Sequence, residues 1–224
     1  MGSKMKDINQ EIIRFDYEKN FKYEDFYVSK SNQHILNLLD SWPNWEKNFL
    51  NICGEKFSGK THLVNIFVKK FKGIKIEANS LNDNFLKEIK IYQNIVLENL
   101  SKNIDERLFY SLINIIEQDN KYLIVTTNHP VVKIDFRLED LRSRASNFLL
   151  QNIEKPDDEL IFALILKNLS DRQISLDKKL INYIIKRIKR SYSKIFDFIY
   201  KIDEISLKKK KSIDLKLIKD VLGE

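Results

Sequence analysis

A chain of 224 residues with 43% hydrophobic content is long enough to bury one sizeable core and to carry a small appendage. No apolar run approaches the length of a bilayer, nothing near Met5 has the order of a signal peptide, and the single cysteine, Cys53, cannot close an internal disulfide, so a cytoplasmic protein without a membrane partner is expected. The net charge of +7 is no sign of nucleic acid here: lysine, asparagine and isoleucine abound along the whole chain, and the one dense cluster, Lys208-Lys209-Lys210-Lys211, falls between two apparent helices as a solvated loop. No direct sequence-specific DNA binding is expected.

In chain order, Met1-Gly2-Ser3-Lys4 reads as a leader left by expression ahead of a native Met5, and residues 1–22 form a polar arm with scattered apolar residues. Over residues 23–154, short apolar runs alternate with amphipathic stretches, the pattern of strands and helices in a parallel α/β sheet. The predicted strands are Phe49 to Cys53, Ile74 to Glu77, Ile95 to Leu97, Tyr122 to Thr126 and Phe148 to Leu150, with helices between them. Cys53 is expected as a small apolar group in the first of these.

Over residues 155–224 the strand signal vanishes and a small all-α unit is predicted. Pro156 followed by Asp157, Asp158 and Glu159 opens a helix, since proline is tolerated in a first turn and acids complement the dipole. A second helix is placed from Ser175 and carries Leu180, Ile181, Ile184, Ile185 and Ile188. A third carries Ile195, Phe196, Ile199, Ile202 and Ile205, and a fourth runs from about Asp214 through Val221 to a glycine stop at Gly223.

The chemistry concentrates in Gly54-Glu55-Lys56-Phe57-Ser58-Gly59-Lys60-Thr61, which fits the phosphate-binding pattern of Gly, four residues, then Gly-Lys-Thr. Only five glycines occur in the chain, and two stand where the loop needs backbone conformations closed to other residues. The context is right: an apolar strand precedes the loop, and His62 and Leu63 open a helix whose N-terminus adds partial positive charge. Lys60 is expected on the β- and γ-phosphates of ADP or ATP, and Thr61 on Mg²⁺.

A phosphate loop needs an acid on a nearby strand to orient the metal, and Ile95-Val96-Leu97-Glu98-Asn99 ends in one, Glu98. The next position, where hydrolytic proteins of this broad class place a second acid, is Asn99, whose amide takes no proton at neutral pH, so intrinsic hydrolysis is expected to be slow or absent. Asn128, at the tip of the fourth strand, is the candidate γ-phosphate sensor. Arg144, in Arg137-Leu138-Glu139-Asp140-Leu141-Arg142-Ser143-Arg144, is either a phosphate-directed arginine or one half of an intrahelical pair with Asp140.

Gly59 to Leu63, the Ile95 to Asn99 strand, Val125-Thr126-Thr127-Asn128 and Leu138 to Arg144 together resemble the AAA+ domain of the bacterial replication initiator DnaA, and so does Phe26-Tyr27-Val28-Ser29-Lys30-Ser31-Asn32 ahead of its adenine pocket. The layout, ending after the helical lid without a DNA-binding domain, is similar to the Hda-like members of that family. The resemblance implies an AAA+ P-loop NTPase domain followed by a helical lid, with Gly54 to His62 binding nucleotide, Thr61 and Glu98 at the metal, Asn99 at a degenerate base position, Asn128 as sensor and Arg144 as an arginine finger acting in trans. It implies promotion of ATP hydrolysis on DnaA together with the DNA polymerase III sliding clamp. The clamp would be reached by an arm peptide with Gln10, Ile12, Ile13 and Phe15 as contacts. Ser193 stands where a second sensor arginine is expected. A DnaA-related adaptor or helicase loader and a small-molecule P-loop kinase are the alternatives, and self-association stays open.

Overall fold

The computed structural model describes residues 26–209 and 213–224; the arm, with the expected contacts Gln10, Ile12, Ile13 and Phe15, lies outside the described residues, as do Lys210, Lys211 and Ser212. A helix, α1 (Gln33–Asp40), precedes the first strand, β1 (Phe49–Cys53). There follow α2 (Lys60–Phe71), β2 (Ile74–Glu77), α3 (Asp83–Glu88), β3 (Asn94–Glu98), α4 (Glu106–Gln118), β4 (Tyr122–Thr127), α5 (Glu139–Ala145) and β5 (Leu149–Asn152). The strands form one parallel sheet in the order β2-β3-β4-β1-β5.

The burial of each strand follows from its place in that order. β1 and β3 are buried at every position and carry near-continuous apolar runs, because helices cover both faces of an interior strand. The two edge strands, β2 and β5, alternate between half-buried and exposed residues. The core on one face joins α3, α4 and α5 to Ile95, Leu97, Leu123 and Val125; on the other, α1 and α2 pack on Leu50, Ile52, Val96 and Ile124. Cys53 is 4% exposed at the end of β1, as its sequence context suggests.

Four further helices follow: α6 (Asp158–Ser170), α7 (Lys178–Ile185), α8 (Tyr192–Lys209) and α9 (Leu215–Leu222). They enclose an aliphatic core built from Ile161, Ile165, Ile181, Ile184, Ile195, Ile199, Ile202 and Ile218. Capping explains the boundaries. Asp157 accepts from the Leu160 N–H at the start of α6, and Asp214 does the same for Leu217 in α9, which ends at Gly223 with φ of 85°. α7 starts at Lys178 rather than Ser175 because Asp177 is its cap, and Ile188 packs from beyond its end. Pro156 stands ahead of the α6 cap rather than in its first turn.

Candidate functional site

The strand order brings the singled-out segments to one edge of the sheet. β1, β4 and β3 are neighbours, and their C-terminal ends lead into the phosphate loop, Asn128 and the Glu98-Asn99 pair respectively. Gly59 has φ of 93°, the left-handed conformation the pattern requires of it, and a Cβ there would lie 3.2 Å from the Phe26 ring. Phe57 also has positive φ, 69°, an uncommon state for a bulky side chain.

Lys60 opens α2 from inside the loop. Its ammonium donates to the carbonyls of Gly54 at 2.6 Å and Glu55 at 3.0 Å, and to Asn128 Oδ1 at 3.3 Å. Burial pushes its pKa down, and the nearby Glu55 carboxylate offsets only part of that effect. The cation and the sensor amide are thus in contact. Thr61 follows at the first turn of α2, half-buried, and His62 lies against Phe26 with ring centroids 5.1 Å apart. Lys56 is exposed, with its ammonium 5.0 Å from the Phe57 ring.

Two buried polar atoms in this region have no hydrogen-bond partner among the described residues: Ser58 Oγ and Glu98 Oε1. A buried polar atom without a partner is costly, and a phosphate oxygen for the hydroxyl and a hydrated cation for the carboxylate would satisfy both. The residues therefore fit a nucleotide with Mg²⁺. Glu98 is 2% exposed, and its other oxygen is held at 2.8 Å by Lys75 of β2.

Lys75 was not legible as a site residue from its own segment. In the β2–β3 register Lys75 lies opposite Val96 and Glu77 opposite Glu98, so all four side chains share one face and two carboxylates stand side by side. Lys75 compensates one of them. Asn99 compensates the other: its Nδ2 donates to Glu77 Oε2 at 2.9 Å, while its backbone, with φ of 59°, gives its N–H to Thr126 Oγ1. The amide at the expected base position is turned toward β2.

Glu55 reaches the last four helices. Its carboxylate accepts the Ser191 hydroxyl, the Tyr192 N–H at 3.0 Å and the Ser193 N–H at 3.3 Å, and so caps α8. Burial raises the Glu55 pKa, but the hydrogen bonds from Ser191, Ser193 and Tyr192 outweigh it and hold the carboxyl below its ordinary range. Ser193 is turned to Glu55, and the cations on either side of it pair elsewhere, Arg190 with Asp158 at 2.6 Å and Lys194 with Asp197 at 3.3 Å.

Arg144 is not brought to the loop. It ends α5 on the flank of the sheet, its guanidinium bonded to Glu117 of α4 and 5.2 Å from the Tyr110 ring. That pairing replaces the intrahelical partnership with Asp140 that its own helix suggests. The N-terminus of α5 is fixed by Glu106, which takes the N–H groups of Arg137 and Leu138 at 2.8 Å each.

Among the described residues no helix is long and apolar enough to cross a membrane, and no group of three or more His, Cys, Asp or Glu is placed to hold a metal unaided.

Residues 157–222 match the family model described as "Hda, lid domain". Over 91% of its length the chain is 25% identical to the chromosomal replication initiator protein DnaA of Thermoanaerobacter sp. (strain X514), of which it covers 52%; it spans about half the length of the curated relatives it matches. Domain III of the Thermotoga maritima replication initiation protein DnaA superposes with a TM-score of 0.70 at 19% identity, covering 92% of this chain and 96% of that one. The AMPPCP-bound DnaA of Aquifex aeolicus gives 0.66 at 20% identity, covering 85% of this chain and 67% of that one.

Proposed function

From the premise that this chain is a DnaA-related AAA+ protein with a lid of the Hda type, we propose that it binds ADP or ATP with Mg²⁺ in the Gly54 to Thr61 loop. We propose further that it regulates replication initiation by offering Arg144 to ATP held by a DnaA partner. Lys60, Ser58 and the loop N–H groups would take the phosphates, Thr61 and Glu98 Oε1 would hold the hydrated metal, and Asn128 would read the terminal phosphate. Bound Mg²⁺ supplies charge neutralisation at the phosphate oxygens. An AMPPCP-bound DnaA of the same fold supports the nucleotide.

The observation that carries the trans reading is the separation of the two cationic groups. The loop is served by Lys60 and Asn128, whereas Arg144 sits on the α4–α5 flank against Glu117 and Tyr110. A guanidinium on the flank, away from this chain's own loop, supports the reading that it meets phosphates brought by another molecule, and such an arginine contributes about 10³–10⁵ in rate to phosphoryl transfer. Asn99, bonded to Glu77 and unable to take a proton, leaves this chain's own site poorly equipped to activate water. Turnover then belongs to the partner's nucleotide. The arm peptide, with Gln10, Ile12, Ile13 and Phe15, would hold the chain on the sliding clamp so that the encounter follows clamp loading.

The test adds the purified chain and DNA-loaded clamp to DnaA carrying radiolabelled ATP. Acceleration that disappears with Arg144→Ala and falls when residues 5–15 are deleted is expected. No acceleration, or full acceleration by the Arg144→Ala chain, removes the mechanism; the second result leaves an adaptor that recruits without triggering hydrolysis.

A further inference from the structure

Building on the nucleotide reading above, we propose that Glu55 is a positioning residue that couples occupancy of the phosphate loop to the placement of the lid through α8. Two side chains of the loop grip the first two turns of that helix. The Glu55 carboxylate collects the hydroxyl of Ser191 and the N–H groups of Tyr192 and Ser193, and the Phe57 ring stacks on Phe196 with centroids 4.9 Å apart and an interplanar angle of 28°. A carboxylate at a helix N-terminus satisfies donors that the helix itself leaves open and complements its dipole.

The main chain of Glu55 faces the other way. Its carbonyl, with that of Gly54, accepts the ammonium of Lys60. In a loop of this pattern the lysine serves the β- and γ-phosphates, so an anion in the loop competes directly with these two carbonyls for Lys60. One residue is therefore tied through its carbonyl to the cation that meets the phosphate, and through its carboxylate to the lid. Phe57 adds a strained element, since a left-handed backbone at a bulky residue persists only when its surroundings hold it, and the stack on Phe196 is part of that hold.

The far side of α8 makes this grip consequential. Ile195, Phe198, Ile199 and Ile202 belong to the lid core, so a shift of the first turn carries that core with it. Tyr192 provides the pivot: it is 3% exposed in the core beneath α2, and its hydroxyl donates to the Glu154 carbonyl at 3.1 Å. Loosening Glu55 leaves α8 attached at Tyr192 but free to re-aim.

Hydrogen–deuterium exchange on the full chain, without nucleotide and with ADP or ATP plus Mg²⁺, tests this at two segments, the loop and the start of α8. The wild-type chain is expected to respond to nucleotide at both. Ser191→Ala, which lies in the lid and removes one donor of the grip, is expected to speed exchange in the first turn of α8 about fivefold without nucleotide. In that variant the nucleotide response should be confined to the loop. Ser191→Thr, which keeps the hydroxyl, should restore the response at α8, and Glu55→Ala should abolish it from the other side. A nucleotide response at α8 that survives in both Ser191→Ala and Glu55→Ala overturns the coupling while leaving the nucleotide reading standing. A wild-type loop that responds to neither nucleotide overturns that reading and the coupling with it.

Discussion

Replacing Lys75 by methionine removes the cation from Glu98 while keeping most of the side chain's volume. Glu98 is 3% exposed at its side chain and its Oε1 already has no partner among the described residues, so the loss falls on a carboxylate with little access to water. Removing one partner from a fully buried pair costs about 3–5 kcal/mol, and from an exposed pair about 1 kcal/mol or less. Lys75 itself is 37% exposed, so water reaches one side of the pair and a cost of about 2 kcal/mol is the appropriate figure. For a chain of this size that lowers Tm by about 4–8 °C. The pair differs from an ordinary ion pair because its carboxylate is also the proposed anchor of the metal's water shell. Thermal unfolding of wild-type and Lys75→Met chains should show the full deficit without ligand and with ADP plus chelator. With saturating Mg²⁺ and ADP, whose cation compensates the same carboxylate, less than about half of it should remain. An equal deficit under all three conditions would refute the assignment of Glu98 to the metal.

Gly59→Ala is expected to weaken nucleotide binding by about tenfold or more, because φ is 93° there and the new Cβ meets Phe26 at 3.2 Å; equilibrium titration with a fluorescent ADP analogue measures it. Phe67→Ala should cost about 3–5 kcal/mol in denaturant unfolding, since Phe67 is 1% exposed and is wedged among Trp42, Trp45 and Phe71. The Glu55 grip should respond to acid. Its folded-state pKa lies below the ordinary carboxylate value, so its contribution is complete above the unfolded value of about 4.3 and is lost as pH falls through the folded value. Glu106, lowered first by the Arg137 N–H it accepts, titrates in the same direction. Protection of the α8 first turn should therefore be flat from neutral pH to about pH 5 and decline below it, and Glu106→Gln should leave that decline in place while Glu55→Gln removes it.

The parts of this molecule written in local pattern were legible in the sequence. β1 and β2 have the boundaries expected of them, since an apolar run closed by a glycine-led loop, and one closed by polar residues, mark their own ends. β5 begins one residue later than expected and runs on through Gln151 and Asn152, because an edge strand pairs through its backbone and tolerates polar side chains. The start of α9 at Asp214 could be read from position, whereas Asp157, expected among the first-turn acids behind Pro156, is the cap of α6, and the cap of α7 is Asp177, two residues beyond Ser175. The phosphate loop announced itself by spacing. Its partners did not: Lys75 acts on Glu98 from 23 residues away, Glu77 on Asn99 from 22, and Ser191 on Glu55 from 136. Each such pair is made by strand register or by the lid's docking, which no single segment encodes. For the same reason Arg144 looked like half of an intrahelical pair, while its carboxylate stands on α4, 27 residues away.

The most direct measurement of the central claim is single-turnover hydrolysis of ATP held by DnaA, in the presence of DNA-loaded clamp and either the wild-type chain or its Arg144→Ala variant, with nucleotide binding by the two chains measured in parallel. The account predicts that the wild-type chain accelerates hydrolysis and that the variant loses about 10³-fold or more of that acceleration while binding its own ADP as tightly as before. Acceleration that is undiminished in the variant, or that falls only in proportion to a loss of its own nucleotide binding, would contradict it.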